Sequence, residues 1–255
     1  MKVFRGFAEI ASLCDPVVTV GSYDGVHLGH RKILEKVVSI ARESGRESLV
    51  VTFYPHPRQV LGDGCGVELL TTLEEKQVLL AGLGIDNMLV VDFTPGFSTV
   101  SSYDFVKDYI IGAIRAGSLV VGYDHHFGHN KEGNYDYLDK LRREFTLEIY
   151  MMPRQDIEGE KISSTAIRNF ISAGELSKAE HYLGYPYFII GTADKDAVTP
   201  TDRCKLLPCA GSYKAVIGAG EKTFRGGILI DGEGHISADC GKILADGEKI
   251  VITFC

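Results

Sequence analysis

Five short apolar runs in the first 150 residues constrain the fold most: "VVTV" (17–20), "SLVVTF" (48–53), "NMLVVDF" (87–93), "SLVVG" (118–122) and "TLEIYMM" (146–152). They are nearly continuous rather than alternating, the pattern of strands covered on both faces. Helical periodicity fills the gaps between them. Ile33, Leu34, Val37, Val38 and Ala41 form one stripe. "TLEEKQVLLAGLG" forms a second, with Thr72 and Glu75 spaced as a capping box and a glycine stop, and "SSYDFVKDYIIGAI" forms a third. Strands alternating with helices predict an α/β fold, a doubly wound parallel sheet whose ligands bind beyond the carboxyl ends of the strands.

The pattern changes after "GELSKAEHYLGYPY" (174–187). "YFIIG", "GSYKAVIG", "GGILIDGEGHISADCG" and "EKIVITF" are short strands separated by Gly, Asp and Pro, with no helical stripe. They predict a second, small antiparallel β-barrel-like domain beginning near Tyr185. The expected division is therefore 1–184 and 185–255. No repeat or low-complexity tract is read.

With 255 residues, such a chain buries enough surface to need no staples. A net charge of −7 argues against a general nucleic-acid surface, although a phosphate responds to the local field and not to the total. The amino terminus "MKVFRGFAEI" shows no apolar signal core, and no run approaches the ~20 residues that span a bilayer. The six cysteines form no CxxC pair and no metal spacing, so reduced thiols and a cytoplasmic location are expected. The oligomeric state is not readable.

Chemistry concentrates in two stretches. "TVGSYDGVHLGH" (19–30) places His27 and His30 where the first sheet strand turns into a helix, among Gly21, Gly25 and Gly29. A helix amino terminus offers unpaired N–H groups and a partial positive charge, and two imidazoles beside it can donate to phosphate oxygens as charge shifts. A metal pair or a surface histidine pair is the competing reading; HxGH directly after a first strand favours the anion site. "KISSTAIRNFI" (161–171) puts Ser163, Ser164 and Thr165 at a helix start, with Arg168 one turn later on the same face. Hydroxyls, N–H groups and a guanidinium there suit a pyrophosphate, against the alternative of a plain cap with a solvated arginine.

Four strings in order, "GSYDGVHLGH", "TFYPHP" (52–57), "VGYDHHFGHNKEG" (121–133) and "ISSTAIR", together resemble the bacterial FMN adenylyltransferases. These form the amino-terminal domain of bifunctional riboflavin kinase/FAD synthetases, within the HxGH nucleotidyltransferase superfamily of Rossmann-like fold. The resemblance covers roughly residues 15–184. It implies transfer of AMP from ATP to FMN, giving FAD and pyrophosphate, with Mg²⁺ bridging substrate phosphates, ATP and FMN as the small-molecule partners, and no nucleic acid or membrane.

By the same resemblance His27, His30, Ser164 and Arg168 are the catalytic candidates. Gly21, Ser22, Asp24, Gly29, Ser163 and Thr165 belong to the ATP site, and Pro55, His56, Asp124, Phe127 and Gly128 to the FMN side. Phe127 can stack on a ring and Asp124 can accept from ribose or ring N–H groups; a core aromatic and an Asx turn are the alternatives. The chain departs from the family pattern at His125 and His126, which with His129 spell HHxxH. No neighbouring ligand completes a metal site there, so no protein-held metal is expected.

The resemblance extends to a riboflavin kinase barrel, whose pattern includes Gly-Phe-Pro-Thr-Ala-Asn. The nearest match is "VTPTDR" (198–203), with Arg203 in place of the Asn. An arginine neither accepts nor ligates a metal. No equivalent of the Glu-x-His string carrying the kinase's catalytic glutamate is expected, with Glu233 as the carboxylate that could stand in. A degenerate, truncated kinase-like module without kinase activity follows. The alternatives are a bifunctional enzyme, a different HxGH transferase, and a non-catalytic flavin or nucleotide sensor.

Overall fold

In a computed structural model of the chain, residues 1–62, 66–122, 135–153, 156–157, 160–194, 197–239 and 245–255 are described. They form two compact units. One comprises Met1–Tyr23, Gly29–Val67 and Gln77–Asp156; the other comprises Asp24–Leu28, Glu68–Lys76 and Ile157–Cys255.

The first unit is built on β1 (Lys2–Arg5), β2 (Val17–Val20), β3 (Ser48–Tyr54), β4 (Asn87–Asp92), β5 (Ser118–Gly122) and β6 (Glu148–Met152). They pair in the order β1-β4-β3-β2-β5-β6, every pair parallel. This is the expected doubly wound sheet. Val18, Val20, Leu49, Val51, Leu89, Val91, Leu119 and Val121 share one core cluster. The residues between them, Val17, Val50, Met88 and Val120, are equally buried, so both faces are covered as the continuous runs require.

The helices are α1 (Leu28–Ser44), α2 (Pro57–Leu61), α3 (Leu73–Gly82), α4 (Ser102–Asp104), which runs on as a π-helical stretch over Phe105–Ala113, and α5 (Tyr135–Phe145). The α3 capping box forms as its spacing predicts: Thr72 Oγ1 accepts from the Glu75 N–H at 3.2 Å, and Glu75 Oε2 accepts from the Thr72 N–H at 2.9 Å.

The chain passes from the first unit to the second within the short strand β7 (Asp156–Ile157); β8 (Glu160–Lys161), α6 (Ser164–Ser172) and α7 (Leu176–Leu183) then follow in the second unit. Six antiparallel strands follow: β9 (Phe188–Asp194), β10 (Ala197–Pro200), β11 (Gly211–Ala219), β12 (Lys222–Ile230), β13 (Ile236–Asp239) and β14 (Lys249–Phe254). They close into a barrel in the order β10-β13-β12-β11-β14-β9. Their burial alternates where that of the sheet is continuous. Ala215, Ile217, Ile250, Ile252 and Phe254 point inward and form one core with Leu70, Ile167, Ile171 and Leu183. Leu70 thereby ties the 68–76 segment into the barrel's core.

Candidate active site

The residues between β2 and α1 occupy unusual backbone. Tyr23, Gly25 and Val26 all have positive φ (46°, 84° and 37°). Gly25 answers a real constraint: a Cβ there would lie 2.8 Å from Leu70 Cδ1 and 3.4 Å from Leu183 Cδ2. Strain of this kind persists only where surrounding contacts over-determine it. The contacts are visible in both units.

In the first unit, Thr19 Oγ1 donates to the Val120 carbonyl at 2.7 Å and shares a 2.5 Å hydrogen bond with the Tyr23 hydroxyl. The Tyr23 ring meets His30 edge-on, with centroids 5.2 Å apart, which orients the imidazole in the first turn of α1. Burial raises the Tyr23 phenol well above its ordinary value, so it stays neutral. Gly21 lies close under the same ring, where a Cβ would stand 3.0 Å from it. The Ser22 carbonyl accepts from Thr52 Oγ1 at 3.3 Å.

His56 caps α2. Its Nδ1 accepts from the Arg58 N–H at 3.2 Å, while Gln59 Oε1 accepts from the His56 N–H at 3.1 Å. The side chain is 9% exposed, and its neighbour Pro55 is exposed.

In the second unit, Asp24 is 2% exposed and surrounded by donors. Its carboxylate accepts from the Leu70 N–H (3.2 Å), the Thr71 N–H (3.0 Å) and Arg168 Nη2 (2.5 Å). The Asp24 carbonyl accepts from Ser164 Oγ at 3.0 Å. Arg168 also donates from Nε to the Glu68 carbonyl at 2.8 Å, and its side chain is only 14% exposed. This is a fixed, paired arginine and not a solvated one. Ser163 is the α6 cap, accepting from the Ala166 N–H at 3.2 Å, while Thr165 is exposed. Thr71 Oγ1 accepts from the Gly25 N–H at 3.0 Å, and the Tyr185 hydroxyl donates to the Gly25 carbonyl at 2.5 Å.

His27 precedes α1 and is 5% exposed. Burial lowers its pKa from 6.5 to about 4 against the opposing pull of Asp24, so the imidazole is neutral at pH 7. Gly29 lies in the first turn of α1. Asp124, Phe127 and Gly128, with His125, His126 and His129, lie outside the described residues.

The structure therefore brings Ser164 and Arg168 to Asp24 across 140 and 144 residues of sequence. The residues that sequence reading missed are Leu70, Thr71 and Tyr185. Leu70 acts through its main-chain N–H, and Thr71 through its N–H and one hydroxyl; every residue but proline carries an N–H, so "ELLTT" gave no signal. Among the described residues, no group of three or more His, Cys, Asp or Glu could hold a metal ion, Cys14, Cys204, Cys209 and Cys255 are free thiols, and no helix is long and apolar enough to cross a membrane.

The barrel's "VTPTDR" string spans the end of β10 and the turn after it. The Thr201 N–H donates to the Ile190 carbonyl at 3.0 Å, and Arg203 is exposed. The expectation of no Glu-x-His string needs correction, because Glu233-Gly234-His235 spells one just before β13. Its histidine is held by Asp231, with Nδ1 2.9 Å from Oδ2, and lies 3.7 Å from Glu233. That contact raises the His235 pKa, while hydrogen bonds from His235 lower Asp231 to about 2.

Residues 9–166 match the family described as FAD synthetase. The chain is 40% identical over 209 residues to a bifunctional riboflavin kinase/FMN adenylyltransferase of Listeria monocytogenes, covering 77% of this chain and 66% of that protein. It is 33% identical over 200 residues to an FAD synthetase of the same organism, covering 78% of this chain and 80% of that one. Among solved structures, one titled a macrolide-efflux protein from Streptococcus pneumoniae superposes with a TM-score of 0.85 at 22% identity, covering all of this chain and 90% of that one; it shares the fold.

Proposed function

We propose, for a chain that belongs to the FAD synthetase family, that it transfers AMP from ATP to FMN, forming FAD and pyrophosphate. The observation that carries this reading is the Asp24–Ser164–Arg168 cluster, in which the HxGH-bearing loop and the ISSTAIR helix meet. Those are the two stretches whose chemistry suits a triphosphate.

In this reading an oxygen of the FMN phosphate attacks the α-phosphorus of ATP in line. The bond to the β-phosphate breaks, and its electron pair leaves with pyrophosphate. No serine or cysteine nucleophile is needed, because positioning and charge stabilisation supply the rate. His27 and His30 donate to phosphate oxygens as charge builds. Gly21, Ser22, Asp24, Gly29, Ser163 and Thr165 line the ATP site, with Ser164 and Arg168 on the outgoing pyrophosphate. Pro55, His56, Asp124, Phe127 and Gly128 serve the flavin side. Mg²⁺ enters with the substrate as its ATP complex. That fits a donor set in which Asp24 is already occupied by protein hydrogen bonds. Residues 1–184 are the adenylyltransferase module, 185–255 the kinase-like β module, and the cytoplasm is the proposed location.

Riboflavin kinase activity is absent in this reading, supported by Arg203, which has only donors where the family pattern has an acceptor. A bifunctional enzyme is the second reading, and Glu233-Gly234-His235 favours it. Both are tested by incubating purified protein with ATP, Mg²⁺ and, separately, FMN, riboflavin, pantetheine phosphate and nicotinamide mononucleotide. Pyrophosphate release with FMN alone is expected. Release with another acceptor and not FMN refutes the transfer assigned here, and FMN formed from riboflavin refutes the loss of kinase activity.

A further inference from the structure

The barrel carries a buried ion pair that the proposed chemistry does not use. Lys205 is 4% exposed; its Nζ donates to Glu75 Oε2 and to the Leu70 carbonyl, each at 2.7 Å, and lies 4.2 Å from the centroid of the Tyr187 ring. Glu75 is wholly buried, and Oε2 also accepts from the Thr72 N–H while Oε1 accepts from the Ile190 N–H of β9 at 2.8 Å. Burying two charges gains little stability over apolar side chains of the same volume; the best-attested use of such a pair is to fix register.

What the pair registers is a short connector. Along residues 68–71 the main-chain groups divide between Asp24 or Arg168 on one side and the 204–206 segment on the other. The Glu68 carbonyl takes Arg168 Nε. The Leu69 N–H donates to the Cys204 carbonyl at 2.7 Å, and the Leu69 carbonyl accepts from the Leu206 N–H at 2.9 Å. The Leu70 N–H goes to Asp24 and the Leu70 carbonyl to Lys205, and the Thr71 N–H returns to Asp24. A slip of one residue would exchange the two sets of partners.

We propose that the 204–206 segment is a clamp for the adenylyl-transfer site, with Lys205 a positioning residue that acts on ATP through Leu70, Asp24 and Arg168. The proposal rests on the reading of that site as an ATP site. It gives the barrel a task that requires no kinase chemistry.

Two measurements test it. The first compares wild type with Lys205→Met and with Lys205→Met/Glu75→Gln, the double variant removing the carboxylate charge that the single one strands. Thermal unfolding reports folding, calorimetry with Mg-ATP reports binding, and steady-state kinetics separates KM for ATP, KM for FMN and kcat. Coupling between sites of this kind changes affinity by roughly 5–150-fold, so about a tenfold weaker Mg-ATP affinity and raised KM for ATP are expected in the folded double variant, with KM for FMN unmoved. A folded double variant with wild-type Mg-ATP affinity overturns the clamp. The second uses wild type alone. By reciprocity, Mg-ATP should slow hydrogen exchange at the Leu69 and Leu206 amides and leave the amides paired between β11 and β12 unchanged. Unchanged exchange at Leu69 and Leu206 overturns the clamp even if every variant fails to fold. A wild type that binds Mg-ATP but makes no FAD refutes the transferase reading alone; one that binds no Mg-ATP refutes both.

Discussion

Asp24 and His27 are three residues apart and share a buried setting, yet their consequences differ. The carboxylate of Asp24 is met by main-chain and guanidinium donors, whereas His27 is held neutral by burial. Between pH 6.5 and about 4, the unfolded chain binds a proton at residue 27 that the folded chain excludes. Stability therefore falls as pH drops through that window, by about 3 kcal/mol in total, and is flat below it with respect to this group. Denaturant titrations from pH 7 to 4.5 should show the loss, and His27→Gln should flatten the slope; an unchanged slope would mean that residue 27 is not the group responsible. For turnover, His30→Ala removes a donor that the Tyr23 ring orients, and a loss of about 10²–10³ in kcat is expected where such a donor serves the transition state. Near-full turnover at saturating ATP would remove His30 from that role. Much of this scale was legible in the sequence: histidines, serines and Arg168 announce themselves by type and spacing. Leu70 and Thr71 could not, because their N–H groups reach Asp24 from the peptide backbone and the Thr71 hydroxyl stands in no recognisable motif.

At the scale of elements, the glycine-rich turn between β2 and α1 is where local structure and site coincide. Gly25→Ala forces a side chain into positive φ and against Leu70, so a loss of about 1–3 kcal/mol of stability is expected, with weakened Mg-ATP binding in the fraction that folds. A variant with wild-type melting temperature and affinity would show that the turn tolerates rearrangement. The five short apolar runs all became strands, and the Thr72–Glu75 spacing became a capping box. β1 was missed because "KVFR" is four residues with charge at both ends, too short for a period to show. The π-helical stretch over Phe105–Ala113 reads as ordinary helix, since its inward residues Phe105, Val106 and Ile110 fit a spacing of four as well as one of five. α2 was missed because its cap is a histidine, outside the usual Ser, Thr, Asp and Asn set.

On the scale of the whole molecule, the sequence separates a covered parallel sheet from an alternating barrel, and both are present. The barrel-like module was expected, but the order of its strands was not legible, because it depends on pairings that no local pattern encodes. Nor was the fact that segments 24–28 and 68–76 belong to the compact unit that contains the barrel, since neither differs in composition from its surroundings. At this scale the proposed reaction is the joining of AMP to FMN. Its most direct test is to incubate the protein with Mg²⁺, FMN and ATP labelled at the α-phosphate, and to separate the products. The label is expected to move into FAD, one equivalent for each pyrophosphate released. Label that remains in ATP, or that appears only as free AMP or ADP, would contradict the account.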